Sequence, residues 1–170
     1  MHIHRFEKFW IVLALALIVF FVGTGVYTFS VMDLRTIGDE GEKFDPAQID
    51  ETPFGDPGTR RVAEGEYEVY IVSRQFLFEP GTGDPVRVPQ DAEVTFYVTS
   101  SDVIHGLQVI GTNLNVMAVP GQTSKFTTSF PEVRTYGMVC HEFCGGAHHE
   151  MEGLLEVVPE DEFSDDYLVN

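Results

Sequence analysis

The segment Cys140-His141-Glu142-Phe143-Cys144-Gly145-Gly146-Ala147-His148-His149-Glu150-Met151 concentrates soft and borderline metal ligands in one short stretch. It holds the only two cysteines of the chain, and a histidine and a methionine follow at close spacing. Thiolate, imidazole and thioether form the donor set that suits copper rather than magnesium, calcium or manganese. A blue-copper site uses one cysteine, and here there are two. Two thiolates on one loop can bridge a pair of copper ions, with His148 and Met151 as terminal ligands. A second histidine stands upstream, at His105 in Asp102-Val103-Ile104-His105-Gly106.

Two other uses of the cysteines compete. A disulfide suits an oxidising compartment, but the His and Met that follow so closely have no part in a staple. A zinc site could take Cys140, Cys144, His148 and His105, but the spacing matches no common finger and zinc makes no use of Met151.

The elements that must hold these residues are β-strands. From Glu66 onward, short β-rich runs are separated by turn residues: Tyr67–Ser73, Phe76–Glu79, Val86–Val88, Glu93–Ser100, Ile104–Ile110, Asn115–Val119, Ser124–Phe130, Arg134–Val139 and Leu154–Val158. Val94, Phe96 and Val98 alternate with Thr95, Tyr97 and Thr99, as in a half-buried strand. Pro80-Gly81, Gly111-Thr112-Asn113 and Pro120-Gly121 punctuate the runs. The pattern predicts an all-β sandwich or barrel. Cys140 then ends one strand, Met151 precedes the next, and Gly145-Gly146 permits a tight path between them.

The run from Phe9 to Met32 has no charged residue, and about 20 such residues suffice to cross a bilayer as a helix. It is longer than the apolar core of a signal peptide and lacks a small-x-small end. Arg5 and Lys8 precede it, while Asp33, Asp39, Glu40, Glu42 and Asp45 follow, which predicts a cytoplasmic N-terminus and an outer-side domain. Trp10 and Tyr27 stand at the two expected interfaces. The predicted organisation is a membrane anchor over 1–32 with a helix at about 9–32, an acidic Gly/Pro-containing linker over 33–64, a domain over 65–160 and an acidic tail over 161–170.

A formal net charge of −17 excludes the phosphate-contacting modes of nucleic-acid binding. The acids are spread through linker, domain and tail. That dispersion favours adaptation to high salt over one docking patch for a basic carrier.

The blocks Asp102–Gly106, Gly111–Val116, Pro120-Gly121 and Tyr136–Met151 resemble those of subunit II of the haem–copper oxidases, with its binuclear copper (CuA) domain, and of the B-type branch in particular. The resemblance implies a Greek-key cupredoxin sandwich with one N-terminal transmembrane helix. It implies that Cys140 and Cys144 bridge both coppers. His105 and Met151 would complete one copper, and His148 with the backbone carbonyl of Glu142 the other. His141 and His149 match no ligand position and read as exposed or supporting residues; His2 and His4 read as inert. The segment Ser73-Arg74-Gln75-Phe76-Leu77-Phe78-Glu79 is similar to the Phe-x-Phe segment that replaces the tryptophan-rich electron-input segment of A-type subunits. Phe76 is expected in the core, and Phe78 either in the core or at the point of electron input. The run Phe6-Glu7-Lys8-Phe9-Trp10 is similar to the B-type start, where the glutamate lies at the mouth of a proton-uptake path.

The function so implied is that of the electron-accepting subunit of an oxygen reductase of the cytochrome c oxidase type. It would take electrons from an external carrier, a cytochrome c or a blue-copper protein, and pass them to haem in a polytopic subunit I. Oxygen reduction itself would occur in that partner. The alternative is the CuA subunit of a nitric oxide reductase. A copper-delivery protein would favour Met- and His-rich tracts, whereas the five methionines here are scattered.

Overall fold

In the computed structural model, residues 4–31 and 43–169 are described. The chain divides into two compact units. The first is helix α1, Arg5–Val31. It starts one turn before the uncharged run, and the Met32 end of the predicted span lies outside the described residues. Its described apolar side chains are exposed apart from half-exposed Leu13, with a mean hydropathy of 2.6 over Arg5–Thr28. Two internal hydroxyls bond back to the helix itself, Thr24 Oγ1 to the Phe21 carbonyl and Thr28 Oγ1 to the Thr24 carbonyl, each at 2.8 Å. Such self-satisfaction is what a spanning helix requires.

The second unit is a two-sheet β-sandwich. Its strands are β1 (Gly58–Ala63), β2 (Glu66–Arg74), β3 (Leu77–Glu79), β4 (Val86–Pro89), β5 (Glu93–Ser100), β6 (His105–Val109), β7 (Asn115–Ala118), β8 (Ser124–Thr128), β9 (Thr135–Cys140) and β10 (Glu152–Val158). One sheet runs β1-β2-β5-β8 with β3 beside β2; the other runs β4-β10-β9-β6-β7. The chain therefore changes sheet repeatedly, which is why β2 pairs with β5, and β4 with β10, in parallel. The alternation in β5 is as expected, with Val94, Phe96 and Val98 fully buried.

The same alternation carries ligands off the end of the core. Tyr136, Met138 and Cys140 form the inward row of β9, and His105, Leu107 and Val109 that of β6. Leu107 pairs with Cys140 across the two strands, so the cysteine and the histidine meet at one rim of the sandwich.

The stretch 33–64 differs from an extended connector wherever it is described. Residues 46–55 form two 3₁₀ turns, capped by the side chains of Asp45 and Thr52. Phe54 is 5% exposed and packs edge-on against Tyr70 on the outer face of the first sheet. Residues 58–63 are strand β1, in register with β2. Residues 33–42 lie outside the described residues. The acidic tail also docks: Phe163 packs on Tyr67, Asp165 pairs with Arg61 at 3.0 Å, and Val169 N–H donates to the Thr59 carbonyl at 2.9 Å.

Candidate metal centre

Four side chains and one backbone carbonyl of the ligand loop, together with His105, converge at that rim. The two thiols are free and buried, with Sγ atoms 3.8 Å apart, well beyond the ~2.05 Å of a disulfide. His105 is 0% exposed; its Nδ1 lies 3.9 Å from Cys140 Sγ and 3.3 Å from Met151 Sδ. Cys144 Sγ lies 3.5 Å from His148 Nδ1 and 3.7 Å from Met151 Sδ. The Glu142 carbonyl is 3.2 Å from Cys140 Sγ. All the predicted ligand residues are thus brought together: His105, Cys140, Glu142, Cys144, His148 and Met151. Potential metal-ligating atoms of His105, Cys140 and Cys144 lie within 4.8 Å of one another.

The chemistry of this set tests which ion would fit. Two thiols, two imidazoles and a buried thioether suit copper; a structural zinc site would leave Met151 without a part. Burial, and then the adjacent Cys140 thiol, push the Cys144 thiol up to about 11. The Cys144 sulfur therefore favours staying protonated at neutral pH, and a cation bound to it must displace that proton.

Asp102 orients the histidine. Its Oδ1 lies 2.7 Å from His105 Nε2, which leaves Nδ1 facing the sulfurs. The carboxylate also accepts from Gln75 N–H at 2.7 Å, Val103 N–H at 2.6 Å and Ser100 Oγ at 3.2 Å. Partial burial acts to raise the Asp102 pKa. The hydrogen bonds from His105, Gln75 and Val103 outweigh it and hold the carboxyl below the usual carboxylate range. Such carboxylate–imidazole pairs fix ring orientation and raise ligand basicity. Asp102 is adjacent in sequence to the ligand block, so its type and spacing were the available signal. Gln75 is far from it in sequence and gave none.

Other predicted residues fall elsewhere. Phe78 is 0% exposed in the middle of the core, where no external carrier can touch it, so the electron-input role considered for it does not fit. Phe76, expected in the core, is the half-buried one; its ring lies against Gly145 of the ligand loop. It precedes β3 in the turn after β2, so the period-two rule that would put it on one face with Phe78 does not apply. Glu7 lies in the first turn of α1, where its Oε2 accepts from His4 N–H at 2.8 Å. His141 is exposed with its ring packed over Gly106, and His149 is exposed beside Glu150. His4 is exposed, and His2 lies outside the described residues. Phe143, not singled out by the sequence reading, is 79% exposed and packs edge-on against His148.

Comparison with known proteins places this geometry. The family described as cytochrome c oxidase subunit II, periplasmic domain, matches residues 63–158. A cytochrome c oxidase subunit 2 of Thermus thermophilus is 35% identical over 156 residues, covering 89% of this chain and 91% of the relative. The protein of the same name from Candida albicans is 31% identical over 104 residues, 58% of this chain and 39% of the relative. Among solved structures, a chain in a cryo-EM structure of a heme-copper terminal oxidase dimer superposes with a TM-score of 0.71 at 33% identity. That match covers 91% of this chain and all of the other. The periplasmic domain of subunit II of cytochrome oxidase from Bradyrhizobium japonicum matches at a TM-score of 0.52 and 19% identity, covering 56% of this chain and 86% of that one. This last likeness bears on the fold alone, which is cupredoxin-like.

Proposed function

The chain belongs to the cytochrome c oxidase subunit II family, and from that premise we propose that its converging donors hold a binuclear copper (CuA) centre. It is the electron-accepting subunit of a haem–copper oxidase, with subunit I as its partner; the nitric oxide reductase alternative is not favoured. The observation that carries the copper pair is the convergence of six donors from two sites in the sequence. Cys140 and Cys144 would bridge, His105 and Met151 would serve one ion, and His148 with the Glu142 carbonyl the other. A copper pair sharing two thiolates supplies a one-electron acceptor whose charge is spread over both ions.

The residues of the chain do the rest. Burial of Cys140, Cys144, His105 and Met151 keeps water from the sulfurs. Strands β6 and β9 fix His105 and Cys140, and Asp102 fixes the ring of His105. Ligands held this firmly on a rigid scaffold move little when charge changes, which suits electron transfer. We assign the contact with the external carrier, a cytochrome c or a blue-copper protein, to the surface around half-buried Phe76, because its ring rests on the ligand loop at Gly145.

Among the described residues one apolar helix is long enough to span a membrane; together with a family named for its periplasmic domain it indicates a single-pass protein with an outer-side domain. Arg5 and Lys8 support a cytoplasmic N-terminus for it. On this orientation Glu7 stands at the cytoplasmic edge of the span, where a carboxylate can gather protons for a path in subunit I. The B-type assignment is supported by the Phe-x-Phe segment and by the chain's single tryptophan, Trp10, which lies in helix α1.

The test is copper content in the full chain. Cys140→Ser and Cys144→Ser should each bind fewer coppers than the two of the unmutated chain, because one bridge cannot hold two mutually repelling cations. Met151→Leu should keep both ions and shift the potential, since a thioether tunes more than it anchors. Two coppers retained in either serine variant would refute the bridging assignment.

A further inference from the structure

The turn between β2 and β3 holds a side chain that the copper reading does not use. Gln75 is exposed as a residue, and a glutamine there can satisfy its amide with water. Instead its Nε2 donates to the backbone carbonyl of Cys144, while its backbone N–H donates to Asp102 Oδ2 at 2.7 Å. Asp102 is the residue that holds His105. One residue therefore joins the two ligand-bearing segments, which meet the turn from separate places in the sequence.

The backbone opposite is shaped for this contact. Gly145 follows Cys144 at a φ of +138°, and a Cβ there would lie 2.7 Å from Gln75 Nε2 and 3.1 Å from the ring of Phe76. Only glycine lets the turn approach the loop so closely. The contact also falls beside a bridging residue. Cys144 Sγ lies within 3.5–3.8 Å of His148 Nδ1, Met151 Sδ and Cys140 Sγ. A rotation of the Cys144 peptide would shift its sulfur relative to all three.

We infer that Gln75 is a positioning residue of the metal centre: its amide clasps the Cys144 carbonyl and its backbone braces Asp102, fixing the bridging sulfur and His105 relative to each other. The inference rests on the copper-pair reading of the site and adds to it a residue that touches neither ion. The clasp is made by protein groups other than the six donor atoms, so it restrains the loop without competing for the ions.

The test uses the full-length chain in detergent. Gln75→Met keeps the length and packing of the side chain and removes only the donor; Gly145→Ala blocks the approach from the other side. Copper retention is read by competition with a copper(I) chelator, the pairing of the ions by the hyperfine pattern, and fold integrity by thermal melting of the copper-free chain. Removing a supporting partner of a metal ligand commonly weakens metal binding about 10- to 100-fold. Gln75→Met should lose copper about that much more readily and show an unevenly shared hyperfine pattern, with the copper-free melt close to that of the unmutated chain. Gly145→Ala should do the same, or fail to fold, in which case Gln75→Met decides alone. Unmutated affinity and hyperfine pattern in Gln75→Met would overturn the clasp, as would a loss of copper that merely tracks a loss of fold stability. An unmutated chain that takes up no copper pair would overturn the copper reading itself, and the clasp with it.

Discussion

Asp102→Asn removes the charge that holds His105 while leaving the side chain nearly the same size. In the structure the carboxylate collects donors from His105, Val103 and Ser100 on Oδ1 and from Gln75 on Oδ2. An asparagine has one acceptor oxygen. If that oxygen keeps the Oδ1 partners, its amide nitrogen confronts the N–H of Gln75, donor against donor. Hydrogen bonds to a charged group contribute about 1.5–3 kcal/mol, and a stranded donor costs about 1–3 kcal/mol. The Asp102 side chain is 32% exposed, so water offsets part of this, and about 2 kcal/mol is the expected loss for the copper-free chain. For a domain of this size that lowers the melting temperature by about 5–10 °C. The pH dependence gives the sign. Asp102 titrates below the ordinary carboxylate value in the fold, so its contribution is complete above about pH 4 and is lost as pH falls through the folded pKa. Urea unfolding of the copper-free full chain should show a gap between unmutated and Asp102→Asn proteins that is flat from neutral pH to about pH 4 and narrows below it. Copper affinity should fall about 10- to 100-fold in parallel. A gap under about 0.5 kcal/mol at neutral pH, or one that does not narrow in acid, would refute this account of Asp102.

Phe76→Ala should slow reduction of the copper-loaded protein by its carrier with little loss of stability, whereas Phe78→Ala should cost about 3–5 kcal/mol as a core deletion; stopped-flow reduction and thermal melts separate the two. Glu7→Gln removes a proton-carrying group at nearly constant volume. It should slow steady-state oxygen reduction by the assembled complex while copper content and copper reduction stay intact, and unchanged turnover would leave Glu7 as a helix-end cap for His4 N–H.

The metal site was legible because its chemistry is local: Cys140, Cys144, His148 and Met151 lie on one loop, and the alternation of β9 delivers Cys140 inward without help from elsewhere. The same rule read β5 and most other strands to within a residue or two. It failed where tertiary contact decides. Residues 58–63 carry two arginines and little apolar pattern, yet form β1 because β2 offers them a ladder and Tyr67 and Tyr70 offer rings to Arg61 and Arg60. Phe54 sits in an acidic, proline-containing stretch that reads as linker and Phe163 in an acidic stretch that reads as tail, and each is held by a tyrosine of β2. Phe76 is half-buried rather than in the core because it lies in the turn before β3, while Phe78 took the core place of its two expected ones. Gln75 was invisible because its partner, Cys144, is 69 residues away.

The central claim is that the six donors hold two copper ions as one electronic unit. Paramagnetic resonance on the copper-loaded full-length chain, oxidised to the state with one unpaired electron, tests it most directly. Two equivalent coppers sharing that electron through Cys140 and Cys144 give a hyperfine pattern with more lines than a single copper can produce, from a purple protein with two coppers per chain. A single-copper pattern, or one copper per chain in the unmutated protein, would contradict it.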